Sequence, residues 1–157
     1  MSISEKDLFD ARTAWGNGLI EISETFENEG IEMATSIASD MIDKLYGFNF
    51  GAVLFKPTLS GGSQTFRTTK EGALSYFVGH NPAYPNDSGF GIKFWREINS
   101  DTAATFIDDT VAMWMGWVTF IDRDGQVTKV DKSWVYKLDD VGNLRITLHH
   151  SSLPYEL

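Results

Sequence analysis

Along the first part of the chain, apolar residues recur at intervals of three and four: Leu8, Ala11, Trp15, Leu19, Ile22 and Phe26. That spacing lines one face of a helix. Ser4 precedes the series with Asp7 three residues on, a variant of the capping box, and Glu29-Gly30 interrupts it, so a first helix is expected to about Asn28. A shorter series, Ile31, Ala34, Ile37 or Ala38, Met41 and Leu45, predicts a second helix ending near Tyr46-Gly47. Ala73, Tyr76 and Phe77 share one side of a short helix expected over residues 70–78.

The remaining pattern is that of strands. Residues 48–58 are rich in strand formers, Leu59-Ser60-Gly61-Gly62-Ser63 reads as a turn, and residues 64–68 resume the strand texture. Two prolines and a glycine make residues 81–89 a loop. Strands are then expected over residues 92–98 or 92–99, over 105–121 with a candidate break at Asp108-Asp109, over 127–138, and over 144–152. Asp122-Arg123-Asp124-Gly125 and Asp139-Asp140-Val141-Gly142-Asn143 supply hairpin turns. Helices followed by an antiparallel sheet make an α+β fold, with residues 1–157 expected as one domain.

Composition narrows the function classes. Thirteen basic against 22 acidic residues give a formal charge of −9 with no basic stripe, which opposes binding to a nucleic-acid backbone. Neither a signal-type N-terminus nor a run of ~18 apolar residues is present, so no membrane partner and a cytoplasmic location are expected. With no cysteine, disulfides, thiol catalysis and thiolate metal sites are excluded. Asn86-Asp87-Ser88 matches a glycosylation sequon but reads as a polar turn.

Candidate chemistry concentrates at the C-terminus, in His149-His150-Ser151-Ser152, where two of the three histidines sit side by side. Consecutive strand residues project to opposite faces, so the two imidazoles cannot chelate one ion from the same strand, and His80 with either one is too few for zinc. Asp122-x-Asp124-Gly125 lacks the glycine and twelfth-position carboxylate of a calcium loop, and Ser60-Gly61-Gly62-Ser63 lacks the lysine of a phosphate loop. No metal and no cofactor are expected. In a regular strand Leu144, Ile146, Leu148, His150 and Ser152 share the apolar face, which places His150 and Ser152 at the polar end of a cavity wall. A β-bulge would exchange the faces and turn His149 and Ser151 inward instead.

Trp95, Trp114, Trp117 and Trp134, with Met113 and Met115, put bulky side chains on both faces of the sheet. One face can pack on the helices. The other is either covered by a second copy of the chain, as a homodimer or larger homo-oligomer, or absorbed into a single large core.

Several segments taken together, Val53-Leu54-Phe55-Lys56-Pro57-Thr58, Phe66-Arg67, Ser75-Tyr76-Phe77-Val78-Gly79 and the stretch from Leu144 to Tyr155, resemble the iota-class carbonic anhydrases. These belong to the superfamily of nuclear transport factor 2 and the calcium/calmodulin-dependent kinase II association domain. Trp15 of the first helix also fits, and the resemblance spans nearly the whole chain. It implies a cone-shaped curved antiparallel sheet wrapped around N-terminal helices, with an interior pocket, and a lyase activity that hydrates carbon dioxide to bicarbonate without an obligatory metal. The family's pocket threonine corresponds to Thr58, its tyrosine to Tyr76, and its last-strand pair to His150 and Ser152 or, in the other register, His149 and Ser151.

The roles implied are His150 as general base or proton relay, Thr58 and Ser152 as water and bicarbonate holders, and Tyr76 as donor to the developing anion. The superfamily also hosts non-catalytic ligand-binding and oligomerisation modules, which stand as the alternative function. An isomerase or dehydratase would need an aspartate opposite the histidine, for which Asp40, Asp43 and Asp109 are the candidates.

Overall fold

The computed structural model describes residues 2–157. Helices α1 (Glu5–Glu29) and α2 (Ile31–Leu45) come first, then the short strand β1 (Leu54–Lys56) and helix α3 (Lys70–Val78). Four long strands complete the chain: β2 (Trp95–Ile107), β3 (Val111–Asp122), β4 (Val127–Leu138) and β5 (Leu144–Ser152). The capping box is complete, with Ser4 accepting from the Asp7 N–H at 3.2 Å and the Asp7 carboxylate accepting from the Ser4 N–H at 2.8 Å. Gly30, at φ 90°, ends α1 and starts α2 in a conformation that a side chain would strain.

One sheet runs in the order β1-β5-β4-β3-β2, antiparallel except for β1, which lies parallel to β5. It curves round the helices without closing. On β3 the even-numbered residues from Ala112 to Phe120 face the helices, and on β4 Val130, Lys132, Trp134 and Tyr136 do the same. Trp15 stands at the centre of the core, with edge-on ring contacts to Phe77, Phe120, Trp134 and His149.

Three sequence expectations change. The texture of residues 48–58 yields only the three-residue β1, because Gly47 and Phe50 form a turn against Ile146 before any partner strand is reached. Residues 64–68 form no strand, and Gly62–Gln64 is a 3-10 turn. The expected strands at 92–99 and 105–121 are instead a hairpin, β2 and β3, whose bend at residues 108–110 contains the candidate break at Asp108-Asp109.

The last strand carries the consequential irregularity. Val135 on β4 pairs with Leu148, but the next residue, Tyr136, pairs with Ile146, which leaves Thr147 as an extra residue in β5. Ile146 is buried on one side of this bulge and His149 and Ser151 on the other. The inward-facing set therefore changes from even to odd numbers within the strand.

Candidate active site

The bulge reverses the expected pair. His149 and Ser151 are 1% and 0% exposed, whereas His150 is exposed to solvent and Ser152 is half-buried. Regular alternation would have turned His150 and Ser152 inward. The unpaired Thr147 overturns that expectation by rotating everything after it by one position. The Ser152 hydroxyl accepts from the Lys56 ammonium at 3.4 Å, and the same ammonium donates to the Ser151 carbonyl at 2.7 Å.

Thr58 and Tyr76 do reach the interior. Thr58 follows β1, whose parallel pairing with β5 sets Lys56 beside His150 and carries the chain past Ser151. The two hydroxyls, Thr58 Oγ1 and Ser151 Oγ, lie 2.6 Å apart. Tyr76 is presented by α3, whose N-terminus is capped by Thr69 donating no proton but accepting from the Gly72 N–H. The helix is tied down by a buried bidentate pair: Arg67 Nη1 and Nη2 donate to the Asp87 carboxylate at 2.6 and 2.7 Å, and Ser75 Oγ donates to it at 2.7 Å. The Tyr76 oxygen accepts from the Leu59 N–H at 3.2 Å. Burial pushes the phenol above its ordinary range, so it stays protonated.

Sequence reasoning missed two members of the constellation, Lys132 and Tyr46. Lys132 is 3% exposed, and its Nζ lies 3.1 Å from His149 Nε2 and 3.0 Å from Ser151 Oγ. On the far side of the imidazole, Tyr46 Oη lies 2.9 Å from His149 Nδ1 and accepts from Trp15 Nε1 at 2.9 Å. The alternation Val130, Lys132, Trp134, Tyr136 was the available signal, since it puts the lysine on the apolar face of β4. Burial holds Lys132 down to about 7 and His149 well below the usual imidazole value, the latter also through the neighbouring Lys132 charge.

These groups enclose a small cavity lined by Trp15, Phe55, Pro57, Thr58, Tyr76, Phe77, Phe90, Lys132 and His149. Its volume, counted as positions open to the centre of a water, is about 10 Å³. That is room for roughly one water, far below the ~300 Å³ of a pocket for a larger organic ligand. Asp40, Asp43 and Asp109 are all exposed, so none supplies the carboxylate of an isomerase site. Among the described residues, no three His, Asp or Glu side chains gather where they could hold a metal. His80 is also exposed, its ring bonded to the Val78 carbonyl.

A curated metal-independent carbonic anhydrase of Nostoc sp. (strain PCC 7120 / SAG 25.82 / UTEX 2576) is 48% identical over 155 residues, which is 99% of this chain and 76% of that protein. A crystal structure of the iota-carbonic anhydrase from a cyanobacterium, complexed with bicarbonate, superposes with a TM-score of 0.98 at 47% identity, covering 99% of this chain and 95% of the other. A putative calcium/calmodulin-dependent protein kinase II association domain from Xanthomonas campestris superposes with a TM-score of 0.57 at 22% identity, over 96% and 85% of the two chains, and shares the fold. The family model for metal-independent carbonic anhydrase matches residues 6–153, and the chain belongs to that family.

Proposed function

We propose that this protein hydrates carbon dioxide reversibly to bicarbonate in the cavity between Thr58, Tyr76 and β5. The observation that carries the reading is the hydroxyl pair Thr58–Ser151, 2.6 Å apart beside a small cavity lined mainly by aromatic side chains and backed by a buried lysine. Carbon dioxide is small and apolar, and Trp15, Phe55, Phe77 and Phe90 suit it. The product is an anion, and Thr58, Ser151 and Tyr76 supply hydroxyl protons for its oxygens. The Tyr76 hydroxyl, which accepts from Leu59 and neighbours Thr58, can donate its proton to an anion oxygen. The bicarbonate complex of the cyanobacterial relative supports the same ligand class here.

The test is stopped-flow hydration and oxygen-isotope exchange on protein treated with a chelator. Catalysis above the buffer rate is expected, with a Thr58→Val, Ser151→Ala double variant reduced by about 10²-fold or more. Wild-type protein no faster than that variant would instead favour a non-catalytic binding or assembly module.

The reading extends to assembly as a homodimer. Phe106, Met113, Met115 and Trp117 stand on the outer face of β2 and β3, and Phe106 pairs directly with Met113 across the strands. A second copy placed there covers an apolar stripe that water otherwise wets. Light scattering is expected to give twice the chain mass, and Met115→Lys to shift it toward the monomer.

A further inference from the structure

Lys132 is a fully buried lysine. Aromatic rings surround its Nζ, with Trp15, Phe120 and Trp134 centroids at 4.9, 5.7 and 5.6 Å. Its polar partners are one imidazole nitrogen and one hydroxyl, and no carboxylate bonds to it among the described residues. The charged and titratable groups facing it come from every packed element. They are His149 on β5, Tyr46 behind His149 at the end of α2, Tyr76 on α3 and Lys56 on β1. Asp131, its neighbour on β4, is only half-buried on the strand's other face.

Counting donors fixes the state of this lysine. The Trp15 indole can only donate, so Tyr46 Oη accepts from it and must place its own proton on the one other partner, His149 Nδ1. The neutral ring then carries its proton on Nε2, which points at Lys132 Nζ from 3.1 Å. An ammonium has no lone pair to receive that proton; a neutral amine has one, and keeps two N–H groups, one of them for Ser151. The chain of bonds from Trp15 through Tyr46 and His149 thus ends on an unprotonated amine.

We propose that Lys132 is the proton acceptor of hydration, a neutral amine in the resting site and an ammonium when bicarbonate is bound. The proposal rests on the carbon dioxide reading above. In the step, the water oxygen bonds to the carbon of carbon dioxide, one water O–H bond breaks, and its proton reaches Nζ directly or by exchange through the Ser151 hydroxyl. Water, carbon dioxide and a neutral amine become bicarbonate and an ammonium, so the two product charges arise together and neutralise each other in the dry site. The ammonium then returns its proton to solvent before the next turnover. Burial against rings, which holds the amine down to about 7, fits a base working near neutral pH. His149 cannot take the proton, since Nδ1 accepts from Tyr46 and Nε2 already carries one; Nζ takes it by giving up its bond from His149 Nε2–H, which frees its one lone pair.

Two measurements on the full chain test this. With lysine Nζ labelled by ¹⁵N, NMR at pH 8.5, an arbitrary value about 1.5 above that pKa, is expected to show one neutral amine that becomes an ammonium on adding bicarbonate. An ammonium before addition, or an amine persisting with bicarbonate bound, overturns the proposal. In stopped-flow assays, wild-type hydration should rise with pH through an apparent pKa near 7. Lys132→Met and the permanently charged Lys132→Arg should each lose about 10²-fold or more. Rescue by arginine, or a methionine variant within about threefold of wild type on an unchanged pH profile, means that the lysine supplies charge or packing only and overturns the proposal while the carbon dioxide reading stands. An inactive wild-type protein instead overturns that reading itself.

Discussion

Lys132 serves chemistry at the expense of stability. In the unfolded chain its amine takes up a proton near the ordinary value of 10.5, and in the fold only near 7. Between those values the unfolded state binds more protons, so stability rises with pH across that window, and below about 7 the full cost of burying the group is present. Replacing a buried ionisable group by a well-packed apolar one typically stabilises by about 1–4 kcal/mol. Lys132→Met should therefore melt roughly 5 °C above wild type at pH 6.5, with the gap closing toward pH 10, when thermal unfolding is followed across that range.

The two adjacent histidines should behave in opposite ways. His149→Ala opens a hole among Phe55, Trp15 and Trp134 and removes the partner of Lys132, so a loss of about 10-fold or more in hydration and about 2 kcal/mol in stability is expected. His150→Ala, on the solvent face, should change neither. Thr58 and Tyr76 entered as candidates only through the resemblance of their segments to a known family, and the structure brings both to the interior cavity. The histidine and serine were legible as a pair of pairs, and the choice between them rested on Thr147, a residue that nothing in its neighbourhood marks as unpaired. Lys132 lay on a face that alternation could identify, but a lysine among alternating residues ordinarily signals solvent.

Among the elements, the helices were the most readable: the Ser4–Asp7 box opens α1, Gly30 divides α1 from α2, and Ala73, Tyr76 and Phe77 mark α3, whose Thr69 cap only the structure reveals. Strand limits were less so. Tertiary pairing decides where a β-rich run becomes a strand, and β1 obtains only three paired residues from a promising stretch of eleven. Helix α3 depends on a tie that sequence pattern does not reveal, the Arg67–Asp87 pair joining it to the loop before β2. Asp87→Ala strands a guanidinium that is 3% exposed and should cost about 3–5 kcal/mol in denaturant unfolding. Tyr76 sits on the same helix, so hydration should fall as well, even at temperatures where the variant remains folded.

At the scale of the molecule, the net charge of −9 treats the two sides of the reaction differently. Neutral carbon dioxide approaches without hindrance, while bicarbonate is repelled on entry and helped on exit. Added salt screens that field over about 8–10 Å. The expected result is a KM for bicarbonate that falls as ionic strength rises from 0.01 to about 0.2 M, with kcat/KM for carbon dioxide unchanged, both measured by stopped-flow in the two directions.

The parallel contact between β1 and β5 joins positions more than ninety residues apart in the chain, and it is only three residues long. Closing a loop of that length costs more chain entropy than closing any of the local hairpins, and only three residues of pairing offset it. The cavity holds about one water, and Pro57 and Thr58, which follow this three-residue contact directly, form part of its wall, so the shortest strand pairing in the sheet holds one side of the site in place.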